Sequence, residues 1–158
     1  MFREIRRTQR SLNEDICFEM LGAEPRGVLS VIGDDGYPYG MPMDFIFDSK
    51  QKKLYFHCAL EGHKLDAIKA CDKASFCVLG KGWQKEDEWF LHFRSVIVFG
   101  KIHIMTDANE KLERLKQLGC KYYPDKEAAA EEAVKSLPRV NILEMDIEHI
   151  SGKQVKER

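Results

Sequence analysis

Hydrophobic and polar positions switch period several times along this chain, and the switches divide it into elements. Residues Gly27 to Gly33 read as a strand that ends at Asp34-Asp35-Gly36. That tripeptide is a hairpin turn in which glycine supplies positive φ. The next strand starts near Pro38 and alternates through Met41, Met43, Phe45 and Phe47. Lys53 to Ala59 reads as a third strand, after which Glu61 to Cys71 changes to helical spacing with Leu65 and Ile68. Ala74 to Gly80 is a short apolar strand. Trp89 to Met105 is a long one, with Gly100 as a bend or bulge. Two helices follow. One opens at Asp107, carries Leu112, Leu115 and Leu118, and is expected to close at Gly119; the other spans Asp125 to Lys135. Val140 to Ile150 is the last strand, with Gly152-Lys-Gln as its exit. Near the start, Ser11-Leu-Asn-Glu14 fits a capping box for a helix reaching about Gly22.

Six strands joined largely by tight turns argue for antiparallel pairing, and closure into a barrel would remove exposed edges. The expected fold is mainly β with a few helices, as one domain over residues 1–158. Residues 1–10 are expected to be an N-terminal arm and 151–158 a C-terminal tail. A Gly-x-Gly-x-x-Gly turn is absent from the sequence, so a dinucleotide-binding βαβ unit has no support.

Composition narrows the chemistry. The chain has 158 residues, 32% of them charged, with a formal net charge of −1. That balance gives no general attraction to nucleic acid or to anionic membranes. No apolar run is long enough to span a bilayer, and the N-terminus lacks the apolar stretch of a secretory signal. Five cysteines, an odd number without Cys-x-x-Cys spacing, point to reduced thiols in the cytoplasm. The five histidines do not combine with them in zinc-site spacing, so no metal is expected.

Three segments hold candidate chemistry. In Gly62-His63-Lys64 a helix begins with two basic residues, against the preference of the helix dipole. A bound anion would account for them; a solvated Lys and a surface His would do so equally. Pro42, within Gly40-Met-Pro-Met-Asp-Phe45, cannot donate to a ladder and belongs at a bulge or an edge. Backbone groups there, at Met43 and Asp44, would be free for a planar polar ring, or the segment is an ordinary edge strand. Ser95 shares a face with Ile97 and Phe99, where its hydroxyl could meet a phosphate or a local backbone group. His92, His103 and His149 read as structural or surface residues. Trp83 and Trp89 flank a charged loop and could cover a ligand, a subunit seam or only the surface.

Taken together, Gly27-Val-Leu-Ser-Val, Asp35-Gly-Tyr-Pro, Pro42-Met-Asp-Phe, Tyr55-Phe-His-Cys-Ala-Leu-Glu-Gly-His-Lys-Leu-Asp, Ser95-Val-Ile-Val-Phe-Gly-Lys and Ile147-Glu-His-Ile-Ser-Gly-Lys153 resemble the pyridoxamine-phosphate-oxidase-like flavin-binding split barrels. More narrowly they resemble the nitroimidazole-resistance branch. The resemblance implies a six-stranded antiparallel split β-barrel that forms a homodimer with FMN at the interface. It implies that Gly62, His63 and Lys64 hold the FMN phosphate, that Met41, Pro42, Met43 and Asp44 line the flavin ring, and that Ser95 reaches toward the phosphate. His57 and Ala59 would lie beside the flavin, with His57 as the candidate catalytic group or as a strand histidine satisfied by backbone. Asp44 replaces an Asn common in the family, and an ionised carboxylate near the ring would lower the reduction potential. The implied activity passes electrons from a reduced nicotinamide to a small acceptor such as a nitroaromatic. The alternative is a carrier or sensor of flavin, haem or a deazaflavin without turnover.

Overall fold

The structure is a computed structural model that describes residues 2–156. Its strands are β1 (Ser11–Leu12), β2 (Arg26–Ile32), β3 (Pro38–Asp44), β4 (Ile46–Asp48), β5 (Lys53–Cys58), β6 (Lys73–Leu79), β7 (Trp83–Gln84), β8 (Leu91–Ile104) and β9 (Asn141–Lys156). Its α-helices are α1 (Glu14–Ala23), α2 (His63–Ala70), α3 (Ala108–Tyr122) and α4 (Lys126–Ser136). All ladders among the described residues are antiparallel, in the order β3-β2-β6-β8-β9-β5-β4.

That order runs from β3 to β4, and these are two halves of one strand broken at Phe45. The first half pairs with β2 and the second with β5. Counting the bent strand once, and leaving aside the two-residue strands β1 and β7, six strands close into a split barrel. The closure spares most edges, but the second edge of β3 faces no ladder partner among the described residues. Pro42 sits on this edge strand, where its missing N–H is harmless.

Side-chain parity builds the core. Phe45, Phe56 and Phe76 point inward and meet edge to face, with ring centroids 4.7 Å and 5.0 Å apart for Phe45–Phe76 and Phe56–Phe76. Leu29, Val31, Leu54, Val96, Val98, Leu143 and Met145 fill the space around them. A second core lies outside the barrel wall. There Tyr55 and Ile142, the outward neighbours of Phe56 and Leu143, are covered by Leu115 and Leu118 of α3 and Ala133 of α4.

Several boundaries differ from the sequence-based expectation. Asn13, not Ser11, caps α1, accepting from the Ile16 amide at 2.9 Å, while Ser11 pairs with Lys153 in a ladder. Helix α3 does not close at Gly119 but runs on to Tyr122. Gly119 is where α3 touches α4, and a β-carbon there would press on Ala129 at 3.3 Å. The chain beyond Ile150 is not a free tail: β9 continues to Lys156, paired with β8. The remainder of the expected tail, with the first residue of the arm, lies outside the described residues. The arm itself turns through a short 3-10 helix at Thr8–Arg10, and Phe2 stacks on Phe99 and His149. The bulge expected at Gly100 is present as a register shift between Phe99 and Gly100.

Candidate functional site

Strand β5 leaves the barrel at Cys58, and residues 59–62 carry the chain to α2. Gly62 stands at the helix start with φ 129° and ψ 168°. That conformation is essentially confined to glycine. A β-carbon there would meet nothing within 4 Å, so the backbone, not crowding, requires the glycine. Helices α1, α3 and α4 each begin with an Asn or Asp side chain bonded to first-turn amides. Helix α2 begins without any such cap. Its first turn keeps backbone N–H groups and the positive end of the helix dipole available.

The two basic residues of that turn do different things. His63 turns toward the β2–β3 hairpin. Its ring stacks on Tyr39 with centroids 4.4 Å apart, and its Nε2 lies 3.5 Å from an Asp34 carboxylate oxygen. Lys64 turns the other way, into the split between β3 and β5. Its Nζ lies 3.0 Å from Met43 Sδ, and no carboxylate pairs with it among the described residues. Thioether sulfur is a weak acceptor. Burial holds Lys64 below the ordinary lysine value. Burial likewise pushes the Cys58 thiol up, while the nearby Lys64 and Lys111 ammonium groups pull against it. Lys111, on the first turns of α3, is thus a second cation whose field reaches Cys58. No local sequence signal marks it, because only the fold brings α3 beside the end of β5.

Beside the split, parity sorts the β3 residues. Met41 and Met43 are buried with the barrel core, and Met43 Sδ is the atom that meets Lys64 at the split. Pro42 and Asp44 alternate outward. Asp44 accepts from Arg26 Nε at 2.7 Å across the β2–β3 ladder. His57 also points outward from β5 and is exposed, as is Ala59 in the following loop. Asp44 and His57 share the wall of a groove of about 1040 Å³ between the barrel and the α3–α4 hairpin.

The bend at Phe45 that sets these residues side by side is held by α3. Its peptide N–H donates to the Tyr122 hydroxyl at 2.8 Å, and its carbonyl accepts from Lys121 Nζ at 3.0 Å. The Tyr122 hydroxyl donates in turn to the Pro25 carbonyl, and Lys121 also donates to that of Glu24. The end of α3 thereby pins the bent strand to the start of β2. Neither Tyr122 nor Lys121 stands out in the sequence.

Ser95 is not brought to this place within one chain. It lies opposite Leu79 and Lys153, level with the start of β2. His63 lies against Gly33, just past the end of β2. A seven-residue strand separates the two levels, on the order of 20 Å at the usual rise. Elsewhere, His103, Glu144 and Asp146 form the one cluster of three potential metal ligands among the described residues. The Lys53 ammonium stands among them, 2.6 Å from Glu144 and 3.2 Å from Asp146, and supplies the positive charge a cation would bring. His92 is buried under Trp83 and paired with Glu88.

The sequence profile of the pyridoxamine 5'-phosphate oxidase family matches residues 13–154. No curated protein sequence matches the chain. Among solved structures, a candidate 5-nitroimidazole antibiotic resistance protein from Bacteroides thetaiotaomicron is similar with a TM-score of 0.77. It is 17% identical, over 93% of this chain and 87% of that one. A flavocytochrome from Azotobacter vinelandii is similar with a TM-score of 0.73 at 16% identity, over 96% of this chain and 72% of that one. An FAD-binding protein from Mesorhizobium loti reaches 23% identity and a TM-score of 0.66, over 92% of this chain and 97% of that one. At these identities the likeness establishes a shared fold.

Proposed function

The chain belongs to the pyridoxamine 5'-phosphate oxidase family, and from that premise we propose that it binds FMN at the uncapped start of α2 and acts as an oxidoreductase on a small acceptor. The observation that carries this reading is Lys64, a half-buried cation in the barrel split with a thioether as its hydrogen-bond partner. A phosphate dianion there would meet the Lys64 ammonium, the free amides of the first α2 turn and the helix dipole together. The diverted His63 side chain anchors the turn to Tyr39 and Asp34 and leaves the charge to Lys64. The flavin ring would lie along the unpaired edge of β3, against the backbone of Met41, Pro42, Met43 and Asp44, with His57 and Ala59 beside it.

Bound there, FMN supplies reversible electron transfer. The polypeptide binds the phosphate, offers backbone donors and acceptors to the ring edge, and presents the His57 imidazole where an acceptor gaining charge needs a proton. The Asp44 carboxylate, next to the ring, would disfavour extra negative charge on it, although its pairing with Arg26 moderates this. The electron donor in this reading is a reduced nicotinamide and the acceptor a nitroaromatic-like molecule. Ser95 would reach a phosphate only from a second copy of the chain, which makes a homodimer part of the same reading. The free cysteines accord with a reducing, cytoplasmic setting.

His57→Ala tests the catalytic reading. FMN content should stay near that of the parent protein, and NAD(P)H-driven reduction of a nitroaromatic acceptor should slow by about 10²-fold. Unchanged reduction at full FMN content would remove His57 from catalysis. A parent protein that holds FMN yet consumes no NADH or NADPH with any acceptor would favour a carrier or sensor.

A further inference from the structure

A groove lies between the α3–α4 hairpin and the barrel wall, where the side chains of α4 packed inward are alanines. Ala129 and Ala133 are buried toward α3 and the sheet, where larger residues would close the gap, and the exposed Ala128 lines the groove's rim. Leu115, Leu118 and Val140 form an apolar lining, and Tyr122 and Tyr123 add aromatic surface. The volume, about 1040 Å³, is that of a small-molecule site and well beyond a packing defect. Two features give it direction. At one end it reaches Asp44 and His57, the outward residues of β3 and β5 beside the barrel split. Four carboxylates stand along its lining: Asp44 pairs with Arg26 and Glu132 with Arg139, while Asp125 and Glu131 are in no ion pair among the described residues. The groove thus differs in character from the Lys64 position, where the ammonium has no carboxylate partner among the described residues.

We propose that this groove is the acceptor site, and that it takes a flat aromatic molecule carrying no negative charge, neutral or cationic, with its polar end toward His57. In calling the occupant an acceptor the proposal rests on the flavin reading; in calling the groove a binding site it does not. Asp125 and Glu131, without ion-pair partners among the described residues, disfavour a second phosphorylated or carboxylated ligand here, while the tyrosine faces and apolar floor suit an aromatic ring.

A matched pair of probes tests this by calorimetry on the FMN-loaded protein: 2-naphthalenemethanol, which is neutral, and 2-naphthoate, the same ring as an anion. The alcohol should bind, and the carboxylate should bind at least about tenfold more weakly. Ala128→Trp, on the exposed side of α4, places an indole in the groove and should weaken the alcohol at least about tenfold with an unchanged melting temperature. Glu131→Lys should narrow the gap between the two probes. No heat from either probe at millimolar concentration, equal binding of both, or full binding by Ala128→Trp would each overturn the proposal. The two readings fail separately. A protein that will not take up FMN refutes the flavin reading, and the same titration on that apoprotein still reads the groove. A flavin-loaded protein indifferent to Ala128→Trp refutes only the groove.

Discussion

Lys64 is held in a setting that disfavours its charge, and pH reads out that fact. Burial lowers its pKa in the ligand-free protein. Contact with a phosphate raises it again, since an adjacent anion favours the ammonium. Between the two values FMN binding takes up a proton, so affinity is full below the free-protein pKa and declines as pH rises through it. FMN affinity should therefore fall as pH rises through the alkaline range below the ordinary lysine value in the parent protein. It should stay flat in Lys64→Arg, whose guanidinium does not deprotonate there. Fluorescence titrations across that range check this, and a flat profile for the parent would place the phosphate elsewhere. A residue-scale pattern also explains what could be read in advance. Glycine followed by two basic residues at a helix start marks an anion site, but spacing cannot say which way each side chain turns. His63 goes to Tyr39 and Asp34, and Lys64 to Met43.

At the scale of elements, the bent strand β3–β4 is what makes a split barrel, and α3 holds the bend. Tyr122→Phe removes the hydroxyl that accepts from the Phe45 amide and donates to Pro25. Leaving a part-buried amide unpaired costs about 1–3 kcal/mol. The variant should melt several degrees lower and lose FMN affinity as the β3 edge loosens. Unchanged thermal unfolding would show that the bend holds without the clip. This bend is also where sequence reading stops. Met41, Met43, Phe45 and Phe47 alternate without interruption, because both halves of the strand face the same core. Alternation reports burial and is silent about a change of pairing partner. Likewise a glycine inside a helix costs only about 1 kcal/mol, so packing on Ala129 carries α3 past Gly119. The six strands and the α2 start were legible, since period changes and Gly62 mark them directly. That Ser95 and the α2 turn lie apart within one chain was not legible, because a motif does not tell which end of a long strand it occupies.

For the whole molecule, the unanswered face is the outer surface of β2, β6 and β8. Pro42, Val28, Cys77, Ile97 and Ser151 lie in one row across it, and Val28, Ile32, Leu79, Ile97 and Phe99 are exposed. A sheet apolar on both sides needs cover on both, and a two-fold partner would bring its own Ser95 toward the α2 turn of the first copy. Sedimentation at micromolar concentration should give twice the 18.3 kDa chain mass. Ile97→Lys should give monomers with poor FMN retention, and a monomeric parent protein that holds FMN tightly would separate dimerisation from the site. The claim underneath all of this is that a flavin is held by its phosphate at the start of α2. Titrating the apoprotein with FMN and with riboflavin, which share a ring and differ by the phosphate, addresses it directly, with Lys64→Glu alongside. The parent protein should bind one FMN per chain and riboflavin at least about tenfold more weakly. Lys64→Glu should lose at least the 1.5–3 kcal/mol of one charge-assisted contact, roughly 10-fold or more in affinity. Equal affinity for FMN and riboflavin, or full FMN affinity in Lys64→Glu, would contradict the account.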